Sequence, residues 1–171
     1  GNIYDEANRL IVLVGDIIKL SQLDEGAVSE SMKTVDLYEV TRSVIGHLRQ
    51  AAKEKSIIFK LNGNKAEVLG DRTIIEEIVS NLCDNAIKYN KEGGKVTVTV
   101  FKNKTGTGLT VEDTGIGIPY DQQNRVFERF YRIDKSHSKE IGGTGLGLSI
   151  VKHGAAYLGA EVTLNSTPDV G

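Results

Sequence analysis

Four short blocks between residues 77 and 147 combine side-chain amides, carboxylates, arginines and glycines in a fixed order. They read Glu77-x-x-x-Asn81-x-x-x-Asn85-x-x-Lys88-Tyr89, Asp113-Thr114-Gly115-Ile116-Gly117-Ile118-Pro119, Phe127-Glu128-Arg129-Phe130-Tyr131-Arg132 and Gly142-Gly143-Thr144-Gly145-Leu146-Gly147. Amide oxygens bind hard cations, an ionised carboxylate accepts from an amine, arginine binds phosphate, and a glycine loop presents backbone N–H groups to an anion. Each block alone is a weak signal, but their order and spacing together predict one nucleotide pocket.

The first block lies on a predicted helix that runs from about Asp71 to Tyr89. With about 100° of rotation per residue, one face of this helix is apolar. The opposite side carries Glu77, Asn81, Asp84 and Lys88, with Asn85 at its border. Asparagine is a poor helix former, so two of them are unusual on a solvated helix face. They are either oxygen ligands for Mg²⁺ or part of an ordinary solvated face. This block alone does not decide between them.

The second block places a carboxylate, Asp113, at the end of a predicted strand, where Gly115 and Gly117 let the backbone approach a flat ligand. An ionised carboxylate only accepts hydrogen bonds, so Asp113 suits the exocyclic amine of adenine and would reject the carbonyl of guanine. The alternatives are an ordinary strand-to-loop turn and the Asp-Thr-Gly signature of aspartic proteases. The protease chemistry needs two carboxylates that share a proton, and only one such tripeptide occurs, so a symmetric dimer would be required.

The fourth block opens a predicted helix from Leu146 to Leu158, so its backbone N–H groups and the positive helix end would face an anion. It is not a Walker A loop, since no Lys-Ser/Thr follows Gly147, and its glycine spacing differs from the dinucleotide-binding fingerprint. A plain flexible loop is the alternative. The side chains available for phosphate are the cations Lys88, Arg129 and Arg132 and the hydroxyl of Thr144.

A mixed α/β scaffold is predicted around these blocks. A further helix is predicted to start at Asp36, where Asp36-x-x-Glu39 is a capping-box pattern. Strands are predicted at 56–61, 67–69, 95–101, 109–112 and 161–165, with a polar turn at 102–108 and a polar loop at 134–143. The strands on either side of the polar turn form a hairpin. The expected architecture is therefore an α/β sandwich, a mixed and largely antiparallel sheet covered by helices on one face.

A long helix is predicted before this domain. Its apolar positions alternate in spacings of four and three, which is a coiled-coil-like seam that ends near Gly26. The seam positions are Ile3, Ala7, Leu10, Val14, Ile17 and Ser21. Such a seam implies a partner helix, or alternatively packing of the helix against its own domain.

Composition and charge exclude several classes of protein. The 171 residues are 39% hydrophobic, enough for a buried core, and a net charge of −2 without a basic block disfavours nucleic acid as a partner. Cys83, the single cysteine, excludes an internal disulfide and favours a reducing, cytoplasmic setting with the thiol packed as a small apolar group. His47, His137 and His153 lack metal-ligand spacing. No apolar run approaches the ~20 residues of a membrane span, although the chain looks cut at both ends and its parent could be membrane-bound.

Together the four blocks resemble the N, G1, F and G2 boxes of the sensor histidine kinases. These kinases belong to the ATPase superfamily that includes gyrase B, the 90-kDa chaperones and the MutL mismatch-repair proteins. The resemblance rests on residues 81–89, 113–119 and 143–148 and extends over nearly the whole chain. The leading helix, with Arg9-Leu10 and Leu20-Ser21-Gln22-Leu23-Asp24, resembles the second helix of that family's dimerisation and phosphotransfer hairpin. The implied domains are residues 1–26, the hairpin helix, and 33–171, the catalytic ATP-binding domain with its last strand truncated.

The resemblance implies a role for each residue of the blocks. Asp113 would bind the adenine amine, with Gly115 and Gly117 close to the ring and Tyr89 near the nucleoside. Asn81 and Asn85 would ligate Mg²⁺. Lys88, Arg129 and Arg132 would meet phosphates, and Gly143, Thr144, Gly145, Leu146 and Gly147 would form the lid and phosphate loop. Glu77 and Arg132 would assist the chemistry.

The implied activity is transfer of the γ-phosphate of Mg-ATP to a histidine on the hairpin, and then onward to a response regulator. The leading helix would make the parent protein a homodimer. The hairpin's first helix, which carries the acceptor histidine in this family, is missing, and none of the three histidines of the chain matches its motif. Two alternatives stay open: a serine kinase or ATPase clamp of the same superfamily, and a vestigial nucleotide-binding module. The leading seam argues against the first of them.

Overall fold

The computed structural model describes residues 32–104, 106–117, 121, 123, 147–162 and 171. Helices and strands alternate along this part of the chain. In order they are β1 (Lys33–Asp36), α1 (Leu37–Glu54), β2 (Ile58–Asn62), β3 (Glu67–Gly70), α2 (Arg72–Lys88), β4 (Lys95–Asn103), β5 (Gly106–Asp113) and α3 (Gly147–Leu158). The predicted mixed α/β class is confirmed, whereas the predicted helix at 1–26 and the polar loop at 134–143 lie outside the described residues.

The described strands form two small sheets. In the larger sheet β4 is central, with β2 parallel to it on one side and β5 antiparallel on the other. β1 and β3 pair antiparallel in the second sheet. Val96, Val98 and Val100 alternate along β4 and join the same buried apolar cluster as Val40 of α1 and Val79 of α2. One face of the larger sheet is therefore the face that the helices cover.

α2 is the helix that contacts both of the others, α1 and α3. Its predicted bounds are confirmed, because Asp71 is the N-cap, with Oδ1 accepting from the backbone N–H of Ile74 at 3.2 Å, and Tyr89 is the C-cap. α3 lies close to α2 at Gly154, where an added Cβ would be 3.1 Å from Cδ1 of Ile78. The helix that carries the first block is thus held on two sides.

The predicted capping box at the start of α1 forms only in half. Oδ1 of Asp36 caps the helix by accepting from the backbone N–H of Tyr38 at 3.1 Å, and it also accepts from that of Ala66 at 3.1 Å. The carboxylate of Glu39 does not return to the cap and instead accepts two bonds from the guanidinium of Arg72, at 2.8 and 3.1 Å. A forked guanidinium offers two charge-assisted hydrogen bonds, whereas a backbone N–H offers one, so Glu39 bonds Arg72 although that residue is distant in sequence.

The β4–β5 hairpin is longer than predicted. Asn103 pairs with Gly106, so the predicted polar turn at 102–108 is wrong, and only residues 104 and 105 connect the strands. Backbone pairing holds the polar residues in the ladder, and the ring of Phe101 lies over Gly108, where an added Cβ would be 2.9 Å from Cζ. The sequence pattern does not predict β1 at all, because four residues carry too little alternation to show a period.

α3 ends as predicted at Leu158, with Gly159 in the left-handed region at a φ of 71°. The backbone N–H groups of Gly159 and Ala160 donate to the carbonyls of Ala156 and Ala155 at 3.1 and 2.7 Å, which is a Schellman motif. The strand predicted from residue 161 does not include residues 161 and 162, where the chain is still leaving this motif, and residues 163–165 lie outside the described part. Within the described ranges no helix is long and apolar enough to cross a membrane.

Candidate nucleotide-binding site

The amides of Asn81 and Asn85 lie on the polar side of α2, where both side chains are half-buried. Nδ2 of Asn81 donates to the backbone carbonyl of Glu77 at 2.7 Å. This bond fixes the orientation of the amide and engages Nδ2 with the helix backbone, so Oδ1 is the atom of the amide that could accept a hydrogen bond or bind a metal. The sequence spacing predicts that Glu77, Asn81 and Asn85 share one stretch of the helix, and the structure places them there on α2.

The ammonium of Lys88, predicted as a phosphate cation, has a partner on its own helix. Nζ lies 2.8 Å from Oδ2 of Asp84, one turn earlier on the polar side of α2. Both side chains are about one-third exposed, so this is an ion pair at the surface of the site. The sequence reasoning placed Asp84 on this side but gave it no role, although the i,i+4 spacing of the pair was the available signal.

The turn after β5 carries Asp113 and is folded around that carboxylate. Oδ1 of Asp113 accepts from the backbone N–H of Gly115 at 2.8 Å, which is an Asx-type bond and sets the direction of the second carboxylate oxygen. Gly117 has a φ of 69°, a conformation that glycine adopts without strain. Gly117 therefore serves the local geometry of the turn, and the approach of Gly115 and Gly117 to a flat ligand stays a prediction.

The Asp113 turn is docked on the end of α2. The backbone N–H of Ile116 donates to the carbonyl of Tyr89 at 3.1 Å. Gly115 has no room for a side chain, because an added Cβ would be 2.3 Å from that same carbonyl oxygen and 2.9 Å from Oδ1 of Asp113. The first two sequence blocks, separate in the chain, thus meet through main-chain atoms at one end of α2.

A side-chain network that the sequence reasoning missed joins the same elements. Asn90 is 5% exposed, and its Oδ1 accepts from the hydroxyl of Thr114 at 3.1 Å and from the backbone N–H of Lys91 at 2.9 Å. Its Nδ2 donates to the carbonyl of Lys95 at 2.9 Å, and the backbone N–H of Lys95 donates to Oγ1 of Thr114 at 3.0 Å. The signal in the sequence was an asparagine directly after the predicted end of a helix, where such residues form local turns.

Lys55, also missed, closes the C-terminal end of α2. Its Nζ donates to the carbonyls of Ile87 and Lys88 at 3.1 and 2.8 Å. Carbonyls in the last turn of a helix have no partner within it, and a positive charge is favourable there. Burial lowers the pKa of Lys55, because desolvation disfavours its charged form. Lys55 is separated from Ile87 by 32 positions and from Lys88 by 33, so no local sequence pattern predicts the contact.

The remaining predicted residues divide into those placed and those outside the described part. Gly147 is placed as the first residue of α3. Arg129, Arg132, Gly143, Thr144, Gly145 and Leu146 lie outside the described residues, as does His137. Cys83 is fully buried in the apolar cluster, as predicted, and burial raises the pKa of its thiol to about 12.

No cluster of three or more His, Cys, Asp and Glu side chains suited to a metal occurs in the described ranges. His47 is exposed and His153 half-buried, and neither belongs to such a cluster. A divalent cation held here would therefore rely on neutral amide oxygens and on the phosphates of a nucleotide. That donor set fits Mg²⁺, which is commonly bound through few protein ligands together with substrate phosphates and water.

Comparison with known families identifies the class. Residues 70–171 match the family of histidine kinase-, DNA gyrase B-, and HSP90-like ATPases. Since these residues make up more than half of the chain, the chain belongs to that family. Its mixed sheet and packed helices are the architecture of the catalytic domains of histidine kinases, and the resemblance drawn from the four blocks is confirmed.

Individual relatives narrow the resemblance. The chain is similar to the sensor-like histidine kinase SenX3 of Mycolicibacterium smegmatis, with 36% identity over 167 residues, 97% of this chain and 44% of that protein. It spans less than half the length of the curated relatives it matches. Among solved structures it is similar to ShkA in complex with AMPPNP, with a TM-score of 0.75 and 30% identity over 90% of this chain and 32% of that chain. It is also similar to histidine kinase ThkA in complex with response regulator protein TrrA, with a TM-score of 0.61 and 26% identity over 76% of this chain and 38% of that chain.

Proposed function

We propose that this chain is the catalytic ATP-binding part of a sensor histidine kinase and transfers the γ-phosphate of Mg-ATP to a histidine on a dimerisation hairpin. Residues 33–171 form the catalytic domain in this proposal, and residues 1–26 are the second helix of the hairpin. The observation that carries it is the docking of the Asp113 turn on α2, where the backbone N–H of Ile116 meets the carbonyl of Tyr89 at 3.1 Å. This contact places the Asp113 carboxylate, which receives adenine, beside α2, whose polar side receives the phosphates and the metal.

Asp113 is the adenine-recognising residue of the proposed site. Its Oδ1 is engaged by the turn at 2.8 Å from the N–H of Gly115, and the second oxygen receives the 6-amino group. Gly115 and Gly117 keep side chains away from the plane of the ring, and Tyr89 lies at the nucleoside. Guanine presents a carbonyl at the equivalent position, so two acceptors would face each other.

Asn81 and Asn85 hold the Mg²⁺ that accompanies the triphosphate. The bond from Nδ2 of Asn81 to the carbonyl of Glu77, 2.7 Å long, supports this assignment because it engages Nδ2, so Oδ1 is the atom of the amide that could bind a metal. When bound, the cation neutralises charge on the phosphate oxygens. Lys88 contributes its ammonium to the phosphates after exchanging Asp84 for a phosphate oxygen.

The remaining steps depend on positioning. Phosphoryl transfer asks little covalent chemistry of a protein, so orientation and charge neutralisation carry most of the rate enhancement. Glu77 orients the acceptor imidazole and accepts its proton, and Arg129 and Arg132 add charge at the phosphates. Gly143, Thr144, Gly145, Leu146 and Gly147 close over the nucleotide as a lid and phosphate loop.

The partners follow from the same assignment. The leading seam helix makes the parent protein a homodimer, and a response regulator receives the phosphoryl group, as the similarity to a kinase that was solved with response regulator TrrA supports. The similarity to a kinase solved with AMPPNP, an ATP analogue, supports the choice of nucleotide. The chain works on the cytoplasmic side, with nucleic acid not among its partners.

The experiment supplies the acceptor histidine on a separate hairpin. A separately expressed acceptor hairpin with its histidine is mixed with this chain, Mg²⁺ and radiolabelled ATP, and a hairpin with the histidine replaced by alanine is the control. The expected product is a phosphohairpin that is labile in acid and absent from the control. Acid-stable label on a serine would support the serine-kinase alternative, and the absence of AMPPNP binding by calorimetry would support the vestigial module.

A further inference from the structure

The buried amide of Asn90 ties together three segments that surround the Asp113 turn. It accepts from the Thr114 hydroxyl at 3.1 Å and donates to the carbonyl of Lys95 at 2.9 Å, while the N–H of Lys95 donates back to Oγ1 of Thr114 at 3.0 Å. The result is a closed ring of hydrogen bonds between the end of α2, the start of β4 and the end of β5. Every polar atom in the ring has a defined role, so rotation of either side chain breaks at least two bonds.

Gly94 closes this ring from the strand side. A Cβ added there would lie 2.2 Å from Oδ1 of Asn90 and 2.8 Å from Oγ1 of Thr114. The backbone at Gly94 therefore packs directly on both side chains, and a side chain at this position would collide with the ring.

The ring lies just beyond the end of β5, where it fixes the backbone that follows Asp113. Asp113 is the last residue of β5 in the ladder, paired with Val96, so the residues after it are not held by strand pairing. Thr114 is the next residue, and the hydrogen bonds of its hydroxyl group with Asn90 and Lys95 fix the backbone where the strand pairing ends. The Asp113 carboxylate is held from the other direction by the N–H of Gly115, at 2.8 Å. The direction of the carboxylate thus depends on how the backbone is fixed at Thr114.

We infer that Asn90 and Thr114 are positioning residues that set purine selectivity by holding the Asp113 carboxylate at the place of the adenine amine. This inference rests on the proposed function, in which Asp113 receives that amine. In this inference neither residue touches the nucleotide, because both side chains are engaged in the ring. Their loss should therefore lower the preference for a purine with a 6-amino group while leaving the affinity for the rest of the nucleotide nearly unchanged.

The test compares two ligands that differ only in the amine: ADP and the 5′-diphosphate of unsubstituted purine riboside, each measured by calorimetry in Mg²⁺. The wild-type chain should prefer ADP by about tenfold or more, as expected for a hydrogen bond to a charged group. Thr114→Val removes the hydroxyl at nearly constant shape, and we expect it to reduce the preference to about one-third or less of the wild-type ratio. Thr114→Ser keeps the hydroxyl and should restore the ratio. A partly unfolded sample lowers both affinities equally and cancels in the ratio.

Asn90→Ser is the second variant and tests the ring from its other side, in case Thr114→Val does not fold. It should lower the same ratio, because a serine hydroxyl cannot bond both Thr114 and the carbonyl of Lys95. Equal losses for both ligands, or an unchanged ratio in the variants, would overturn the positioning role while leaving the proposed function standing. If the wild-type chain shows no preference for ADP, adenine recognition by Asp113 fails, and the inference fails with it.

Discussion

Lys88 and Asp84 form an ion pair of 2.8 Å on the side of α2 that is proposed to face the phosphates. The two residues are one helical turn apart, so the helix itself brings them together. In the proposed function a bound phosphate has to compete with this carboxylate for the ammonium. The proposal therefore predicts that the pair lowers the affinity for nucleotide.

Asp84→Asn should raise the affinity for nucleoside diphosphates about two- to threefold. Helix pairs at this spacing contribute about 0.3–0.5 kcal/mol, and removal of a negative charge near the phosphates adds to the effect. Calorimetry with ADP at low and high salt measures it, and the gain should shrink as salt screens the charges. In a Lys88→Met background the gain from releasing Lys88 disappears. A lower affinity of Asp84→Asn would contradict the competition.

Asp113→Asn should weaken adenine nucleotides by about 1.5–3 kcal/mol, because an acceptor facing the amine is replaced by a group that also carries a donor. Binding of AMPPNP measures the loss. Glu112→Gln is the matched control, since Glu112 is the adjacent, exposed carboxylate on the same strand and should leave binding unchanged. Equal effects of the two substitutions would remove Asp113 from the base-binding role.

Asn81→Ala should reduce the Mg²⁺ dependence of ATP-analogue binding more than it reduces binding of ADP in EDTA. The amide oxygen is the proposed ligand, so its loss acts through the cation. Asn81→Asp keeps an oxygen at this position and should retain the dependence on Mg²⁺. Equal losses with and without the metal would mean that the amide serves only its 2.7 Å bond to the carbonyl of Glu77.

Gly115→Ala should destabilise the domain by about 1–3 kcal/mol, because the new methyl group meets the carbonyl of Tyr89 and the turn has to move off α2. Gly46→Ala is the control with the opposite sign. Gly46 lies on α1 with nothing within 4 Å of an added Cβ, so alanine should stabilise the domain by about 0.5–1 kcal/mol. Urea unfolding followed by circular dichroism measures both. A neutral Gly115→Ala would show that the docking contact is loose.

Cys83 should be unreactive toward iodoacetamide in the folded chain at pH 9 and react only as urea unfolds it. Burial raises the pKa of its thiol from an ordinary value of 9.0 to about 12, and the thiolate is the reactive form. The sign of the linked effect follows: above pH 9 the unfolded state releases a proton that the folded state keeps, so this residue lowers stability as the pH rises toward 12. As Cys83 is the only cysteine, the label reports on it alone. Rapid labelling without urea would contradict its burial.

The sequence predicted α2 well because its information is periodic. Bounds at Asp71 and Tyr89 and a buried face through Ile75, Val79 and Ala86 follow from spacing within one helix. Asp113 at a strand end was likewise predictable, since alternation along the hairpin marks where the strand stops. The length of the hairpin was not, because backbone pairing extends through polar residues that carry no alternation.

The contacts that position the site were beyond local patterns. Lys55 reaches the last carbonyls of α2 only because the turn after α1 packs there, and Thr114 finds Asn90 24 residues away. Glu39 likewise bonds Arg72 and not its own helix cap, because tertiary packing brings the guanidinium within reach of its carboxylate. Spacing within an element shows which residues share a face, whereas contacts between elements decide what those residues bind.

A crystal structure of this chain with AMPPNP and Mg²⁺ tests the central claim most directly. The proposed function predicts the 6-amino group within about 2.7–3.2 Å of the Asp113 carboxylate, with the phosphates and the cation over Asn81 and Asn85 of α2. A nucleotide bound elsewhere, or the chain's own side chains occupying the space beside the Asp113 carboxylate, would contradict it.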